Sequence, residues 1–297
     1  MHIDVGSTNA MPILASCLKR SGKLHLYITL RVSAEYPDED EMEQKALSLV
    51  LEHLHRWRHI SIIWQGHCFN PNFTAGNAFS APMLETLHFE TQVIDDPSLD
   101  YQASSEIEPP LDLCLPWAQL VDLDLSCFLS VEQCIRILKE CARVETCRLP
   151  LLRIYSEMDP NADIPTSLDN LRTLHINSDL PLDAFFDSFA FPALSIISIS
   201  NSPNEYEEHR EFAAPDWTQP SFLNLLQRSK APLEFLRLAV TMSESDLIEC
   251  LTCVGGTLQV LSVESVDRIP FLPGEAARFM AHHIDAGVVT CTCPKLE

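Results

Sequence analysis

The chain has 297 residues, 46% of them hydrophobic, with only 8 glycines but 20 prolines, so it can bury a continuous apolar interior and is neither collagen nor flexible linker. A formal net charge of −22 repels phosphate backbones and excludes nucleic acid as the expected partner, leaving solubility or a preference for basic partners as the use of the acidity. The 11 cysteines lie mostly inside apolar patterns, no apolar run reaches the ~18 residues of a membrane helix, and Met1-His2-Ile3-Asp4 opens no secretory leader; free thiols in the cytoplasm or nucleus, away from membranes, are expected.

In chain order, residues 11–20 predict a short helix, and Leu24, Leu26, Ile28 and Leu30 alternate as a strand. Residues 36–41 read as an acidic loop. Residues 43–56 read as a helix with Ala46, Leu47, Val50, Leu51 and Leu54 turned inward. Residues 1–56 thus form a helix–strand–helix lead-in. From Trp57 a pattern recurs: apolar, two free, apolar, one free, apolar. It stands at Trp57, Ile60 and Ile62; at Leu84, Leu87 and Phe89; and at Leu120, Leu123 and Leu125. A weaker copy, Val144, Cys147 and Leu149, is followed by Leu171, Leu174 and Ile176 and by Leu194, Ile197 and Ile199. Leu233, Leu236 and Leu238 and then Leu258, Leu261 and Val263 complete the series. Most steps between first anchors fall within or next to the ~20–29 residues of a leucine-rich repeat.

The second and third anchors are two apart, so a strand turns both to one face, while the first anchor sits at the turn into the strand. One short strand cannot bury that face alone, whereas stacked parallel copies share a core. Between the strands, residues 130–142, 183–189, 221–228 and 243–254 read as helices, with Ser130 and Gln133 spaced as a capping box. Pro82, Pro192 and Pro232 stand just before anchors, where they would end the preceding element. Residues 91–116 and 201–220 read as insertions, the first with a weak strand at Leu111, Leu113 and Leu115. The expected architecture is an α/β irregular leucine-rich-repeat solenoid over residues 57–269, a curved parallel sheet with helices outside. Residues 270–297 would form a cap or tail.

Alternation assigns the free positions to the open, concave side. The central ones include His88, Asp124, Arg148, His175 and Arg237, with Ser61, Ser198 and Ser262 between them; Glu90, Ser126, Asn177, Ser200 and Glu264 come next along their strands. This mixed-charge surface suits a protein partner. Trp57 holds an anchor position and is expected in the core. Asp122 and Asp124 sit within a repeat strand, where a structural role outweighs a metal pair. Cys250 and Cys253 have zinc-like spacing but no second matching pair, and Cys291 and Cys293 near His282 and His283 fall short of four regularly spaced ligands. Nucleophile-elbow, Walker, dinucleotide and His-Glu-x-x-His patterns are absent from the sequence. Neither catalysis nor a cofactor or metal is expected.

Four phrases then stand in order: Leu18-Lys-Arg-Ser-Gly-Lys-Leu-His-Leu26, His55-Arg-Trp-Arg-His-Ile60, Ala81-Pro-Met-Leu-Glu-Thr-Leu87 and Leu115-Pro-Trp-Ala-Gln-Leu-Val-Asp-Leu-Asp-Leu125. In that order, over roughly residues 12–265, they resemble the repeat region of F-box proteins from mushroom-forming fungi. The resemblance implies a substrate receptor of a cullin-RING ubiquitin ligase, in which the repeats hold the protein to be ubiquitinated. No Leu-Pro-x-Glu-Leu-Leu phrase stands ahead of Leu18, so docking to a Skp1-type adaptor is expected only where an F-box precedes this chain. The alternative expectation is a leucine-rich-repeat scaffold with no ubiquitin-ligase role.

Overall fold

The computed structural model describes residues 2–4, 10–34, 45, 48–66, 81–92, 115–127, 129–150, 164–178, 181–200 and 217–264, and part of 274–295. The chain is α/β and divides into two compact units. The first comprises residues 1–129 with 140–144, the second residues 130–139 with 145–297.

The first unit contains β1 (His2–Asp4), α1 (Ala10–Ser21), β2 (Leu26–Ala34), β3 (Trp57–Gly66), β4 (Thr86–Gln92) and β5 (Asp122–Ser126). The five strands pair in chain order and all are parallel. Parallel neighbours need a crossover between them, and alternation along each strand buries one face only. Ile28, Ile60, Leu87 and Leu123 form one buried row across the sheet, and Leu30, Ile62, Phe89 and Leu125 form the next. Helix α1 buries Leu14 and Leu18 and ends on Gly22, whose φ of 54° lies in the left-handed region that favours glycine.

The second unit contains α2 (Val131–Glu140), β6 (Thr146–Pro150), β7 (Thr166–Ser167), β8 (Thr173–Asn177), α3 (Asp183–Ser188), β9 (Phe189–Ala190), β10 (Ile196–Ser200), α4 (Gln219–Ser229), β11 (Phe235–Ala239), α5 (Glu244–Val254) and β12 (Val260–Glu264). Strands β6, β8, β10, β11 and β12 pair in that order, all parallel, while β7 and β9 form a separate two-residue parallel pair. A short antiparallel hairpin, β13 (His283–Asp285) and β14 (Val288–Thr290), follows. Helix α2 buries Val131, Cys134, Ile135 and Leu138 at helical spacing. The expected capping box is present: Gln133 N–H donates to Ser130 Oγ at 3.1 Å, and Ser130 N–H donates to Gln133 Oε1 at 2.8 Å. Ser243 and Asp246 make the same exchange at the start of α5.

A single turn recurs at the strand starts of both units. The anchor N–H bonds the carbonyl three residues back at Leu84 to Ala81, Leu120 to Trp117, Val144 to Cys141, Leu171 to Leu168 and Leu194 to Phe191. The carbonyl after an anchor then accepts two N–H groups from the next strand's start. Glu85 accepts from Val121 and Asp122, Glu145 from Arg172 and Thr173, Arg172 from Ser195 and Ile196, Ser195 from Glu234 and Phe235, and Glu234 from Gln259 and Val260. These bonds satisfy buried backbone groups and fix the register of each strand on its neighbour. The weak copy at Val144, Cys147 and Leu149 is buried as fully as the others.

Predicted helices 11–20, 183–189, 221–228 and 243–254 correspond to α1, α3, α4 and α5. Trp57 is 3% exposed and Leu258 fully buried, as anchors. The parallel ladder of the first unit begins ahead of Trp57: β1 pairs with β2, and β2 with β3. Strand β2 escapes the anchor pattern because its register shifts between Leu26 and Tyr27, so its buried residues Leu26, Ile28 and Leu30 step by two throughout. The acidic loop at 36–41, the weak strand at Leu111 and Leu113, and nearly all of the 201–220 insertion lie outside the described residues.

Candidate functional site

Each strand of five residues carries two or three side chains on the face away from the core, and the parallel registers line them up between strands about 4.8 Å apart. In the first unit Thr29, Ser61, His88 and Asp124 share the central row. Tyr27, His59, Thr86 and Asp122 form the row before it, and Arg31, Ile63, Glu90 and Ser126 the row after it.

His88 sits where these rows converge. Its Nδ1 lies 3.2 Å from Asp124 Oδ2 and its Nε2 lies 3.4 Å from Glu90 Oε2. Ser126 Oγ donates to Asp124 Oδ1 at 3.0 Å and so orients that carboxylate. A neutral imidazole has one N–H and one lone pair, so one of its two carboxylates would face the lone pair; only the cation donates to both. Accordingly the hydrogen bond to Asp124 holds the His88 pKa above its ordinary 6.5; partial burial opposes the rise, and the charges of Asp124 and Glu90 add to it.

Beside His88 runs a groove of about 250 Å³ with Ile28 and Ile60 in its floor and Tyr27, Thr29, His59, Ser61 and Thr86 along it. The Tyr27 ring stacks on His59, centroids 4.5 Å apart and planes 16° from parallel, and Tyr27 is 49% exposed. Arg58, next to His59, donates to Glu85 at 2.8 Å and holds that carboxyl below its ordinary range.

In the second unit Arg148, His175, Ser198, Arg237 and Ser262 share one row. Arg237 pairs with Glu264 at 2.9 Å across the β11–β12 ladder. Of the five residues singled out from sequence, the fold brings His88 and Asp124 into contact and sets Arg148, His175 and Arg237 in register. Sequence reading missed Tyr27 and His59. Tyr27 lies on the strand whose pattern is shifted, and His59 occupies a free position ahead of the central one.

The cysteines behave as core. Burial pushes the thiols of Cys127, Cys141 and Cys250 up to about 12, so they are protonated and inert at neutral pH. Cys250 is buried and Cys253 exposed, both as free thiols; Cys293 is buried, and Cys291 and His282 lie outside the described residues. Among the described residues no group of three or more His, Cys, Asp or Glu is placed to hold a metal ion. Nor is any helix among them long and apolar enough to cross a membrane. A second cavity, of about 350 Å³, opens near the C-terminal ends of α4 and α5, with Leu194, Leu225, Leu226 and Leu233 in its lining beside Lys230 and Cys253. Compared with known proteins, the chain matches no family model, no curated protein and no solved structure.

Proposed function

We propose that this chain is a protein-interaction module: an irregular leucine-rich-repeat solenoid whose polar sheet face holds a protein target, without catalysis of its own. Within that reading it is the target-holding arm of an F-box-like substrate receptor of a cullin-RING ubiquitin ligase, or an F-box-less remnant of one, with a Skp1-type adaptor as partner only where an F-box precedes it. The observation that carries the reading is the recurring turn. One backbone turn, repeated from Leu84 to Leu194, opens short parallel strands in each unit and leaves their alternate positions free of the core. Stacked repeats of this sort build extended binding surfaces because each repeat contacts only its neighbours, so the free positions vary without disturbing the core.

Site-specific photo-crosslinking from the full chain in its native cells tests the reading. A photoreactive residue at Ser61, on the free face of β3, or at Ser198, on that of β10, is expected to capture a protein target, and one at Gln227, on the exposed side of α4, is not. A Skp1-type adaptor and a cullin in the captured complex support the ligase role; capture without them leaves a repeat scaffold. Capture from Gln227 alone would overturn the sheet face as the binding surface.

A further inference from the structure

We propose that the cluster around His88 is a proton-linked docking site for an arginine-bearing, basic segment of a partner protein. This deepens the protein-interaction reading above and rests on it.

Three observations converge on that occupant. The first is the arrangement of charge. Asp124 and Glu90 approach the two ring nitrogens of His88 from the neighbouring strand and from its own, at 3.2 and 3.4 Å. The imidazolium therefore occupies the place a partner's guanidinium would take, with two carboxylates diverging around it. A guanidinium presents a planar fork of donors that matches such a pair and stays charged at every physiological pH. The second is the groove. It leads away from His88 along Ser61 and Thr86 to the Tyr27–His59 stack, which offers a flat aromatic surface to a planar cation and hydroxyls to a peptide backbone. The third is the overall charge of −22, which draws a basic segment toward the protein over long range.

The same geometry makes binding depend on pH. The groups facing His88 are Asp124 and Asp122 on β5, Glu90 on β4 itself, His59 and Ser61 on β3, and, farther off, Arg31 and Tyr27 on β2. Of these, Asp124 and Glu90 act on its charge. While His88 is protonated it competes with the partner for both carboxylates. As it loses its proton, the carboxylates turn to the incoming guanidinium. Docking thus releases a proton and strengthens as pH rises.

Fluorescence anisotropy of a labelled dodecapeptide of alternating arginine and serine, titrated with the full chain, tests this at about pH 6 and about pH 8. A twin peptide with glutamate for arginine is the control. The arginine peptide is expected to bind the wild type about fivefold or more tightly at the higher pH, and the glutamate twin not to bind. H88Q, an uncharged surface replacement, should bind it at both pH values with nearly equal affinity. D124N should weaken binding about fivefold at the higher pH, while D183N, the same charge change at the exposed start of α3, should leave it unchanged. Equal weakening by D124N and D183N would reduce the effect to net charge and overturn the site. So would a pH response that survives in H88Q. If the arginine peptide fails to bind while Ser198 still crosslinks its target, this site falls and the interaction reading stands; loss of both ends both.

Discussion

In the first unit the row after the strand entrance reads Tyr27, His59, Thr86 and Asp122; in the second it reads Thr146, Thr173, Ile196, Phe235 and Val260. Behind both, the core-facing rows are interchangeable leucines, isoleucines, a phenylalanine, a valine and a cysteine. The central rows diverge as well: an imidazole held by carboxylates in one unit, two arginines flanking a histidine and a serine in the other. Backbone register is thus set by the buried positions and the recurring turn, which both units share, whereas surface chemistry is set by free positions that the core does not constrain. Two surfaces built by the same backbone rules can therefore differ in what they recognise. In the row after the strand entrance, Ile196, Phe235 and Val260, the last 43% exposed, make the second unit's sheet face the more apolar.

The units also differ in how their outer layers are secured, and the largest predicted effect tests that. In the second unit Phe185, Phe186, Phe189, Phe191 and Phe222 are fully buried, and Phe186 meets Phe222 and Trp217 with centroids 5.2 and 6.2 Å apart. No comparable aromatic cluster stands among the described residues of the first unit. Phe186→Ala should cost about 3–5 kcal/mol, from lost transfer energy and a cavity that close-packed rings cannot fill. Urea unfolding followed by tryptophan fluorescence measures it; a loss below 1 kcal/mol would mean the cluster collapses around the gap.

Where the units agree, one arginine does the same work in each. Arg56, 6% exposed, donates from Nε to the Leu24 carbonyl at 2.9 Å and from Nη2 to Ser21 Oγ at 2.6 Å, tying the end of α1 to the turn before β3. Arg228 on α4 donates to the Phe186 carbonyl in α3 and to the Phe189 carbonyl just past its end. Replacing either by alanine removes a charged donor from carbonyls left under-satisfied, and should cost about 1.5–3 kcal/mol. Lysine should recover part of that at best, since it lacks the fork. Thermal unfolding of the four variants checks whether the two clamps are equivalent.

Helix ends sharpen the contrast. α1 turns out of its helix on Gly22, α4 on Lys230, and both have φ near 50°. A β-carbon in that conformation costs on the order of 1 kcal/mol. Lys230→Gly is expected to stabilise the protein by up to about 1 kcal/mol, and Gly22→Ala to destabilise it by a similar amount, because the space around Gly22 is open and strain alone acts. Opposite signs in chemical unfolding confirm that backbone strain, rather than packing, decides both positions.

Much of this was legible in the sequence because the turn and the alternation write themselves into residue type. Leu84, Leu120, Leu171 and Leu194 recur because the turn buries one side chain at that point, Leu233 and Leu258 are buried at the same place in the pattern through other turns, and even Cys147 keeps the spacing. Ser130 with Gln133 announced its helix start. Strand β2 was not recognised as part of the array because a one-residue register shift erases the two-residue gap after the first anchor, which is the part of the pattern that distinguishes a repeat from any alternating strand. The contact between His88 and Asp124 was half legible. Alternation put both on one face, but they are 36 positions apart in sequence and become neighbours only through the β4–β5 register. Their pairing depends on the length of the intervening crossover, about which residue type says nothing.

The smallest expected effect returns to that pair. His88 has its pKa raised in the folded protein above the ordinary 6.5, so the folded state holds the proton more tightly than the unfolded chain does. The stabilisation is therefore fully present below about pH 6.5 and is lost as pH rises through the raised value. His88→Gln removes it. The variant should be less stable than wild type at about pH 5.5, by less than about 1 kcal/mol because the site is half open to solvent, and the difference should shrink toward zero in mildly alkaline buffer. Matched urea unfolding curves across that range read the difference directly. A gap between variant and wild type that stayed constant with pH would mean that His88 contributes packing alone, and that Asp124 and Glu90 exert no hold on its proton. The second unit supplies the internal control: the Arg237–Glu264 pair contains no imidazole, so Arg237→Gln should change stability by the same small amount at both ends of the range.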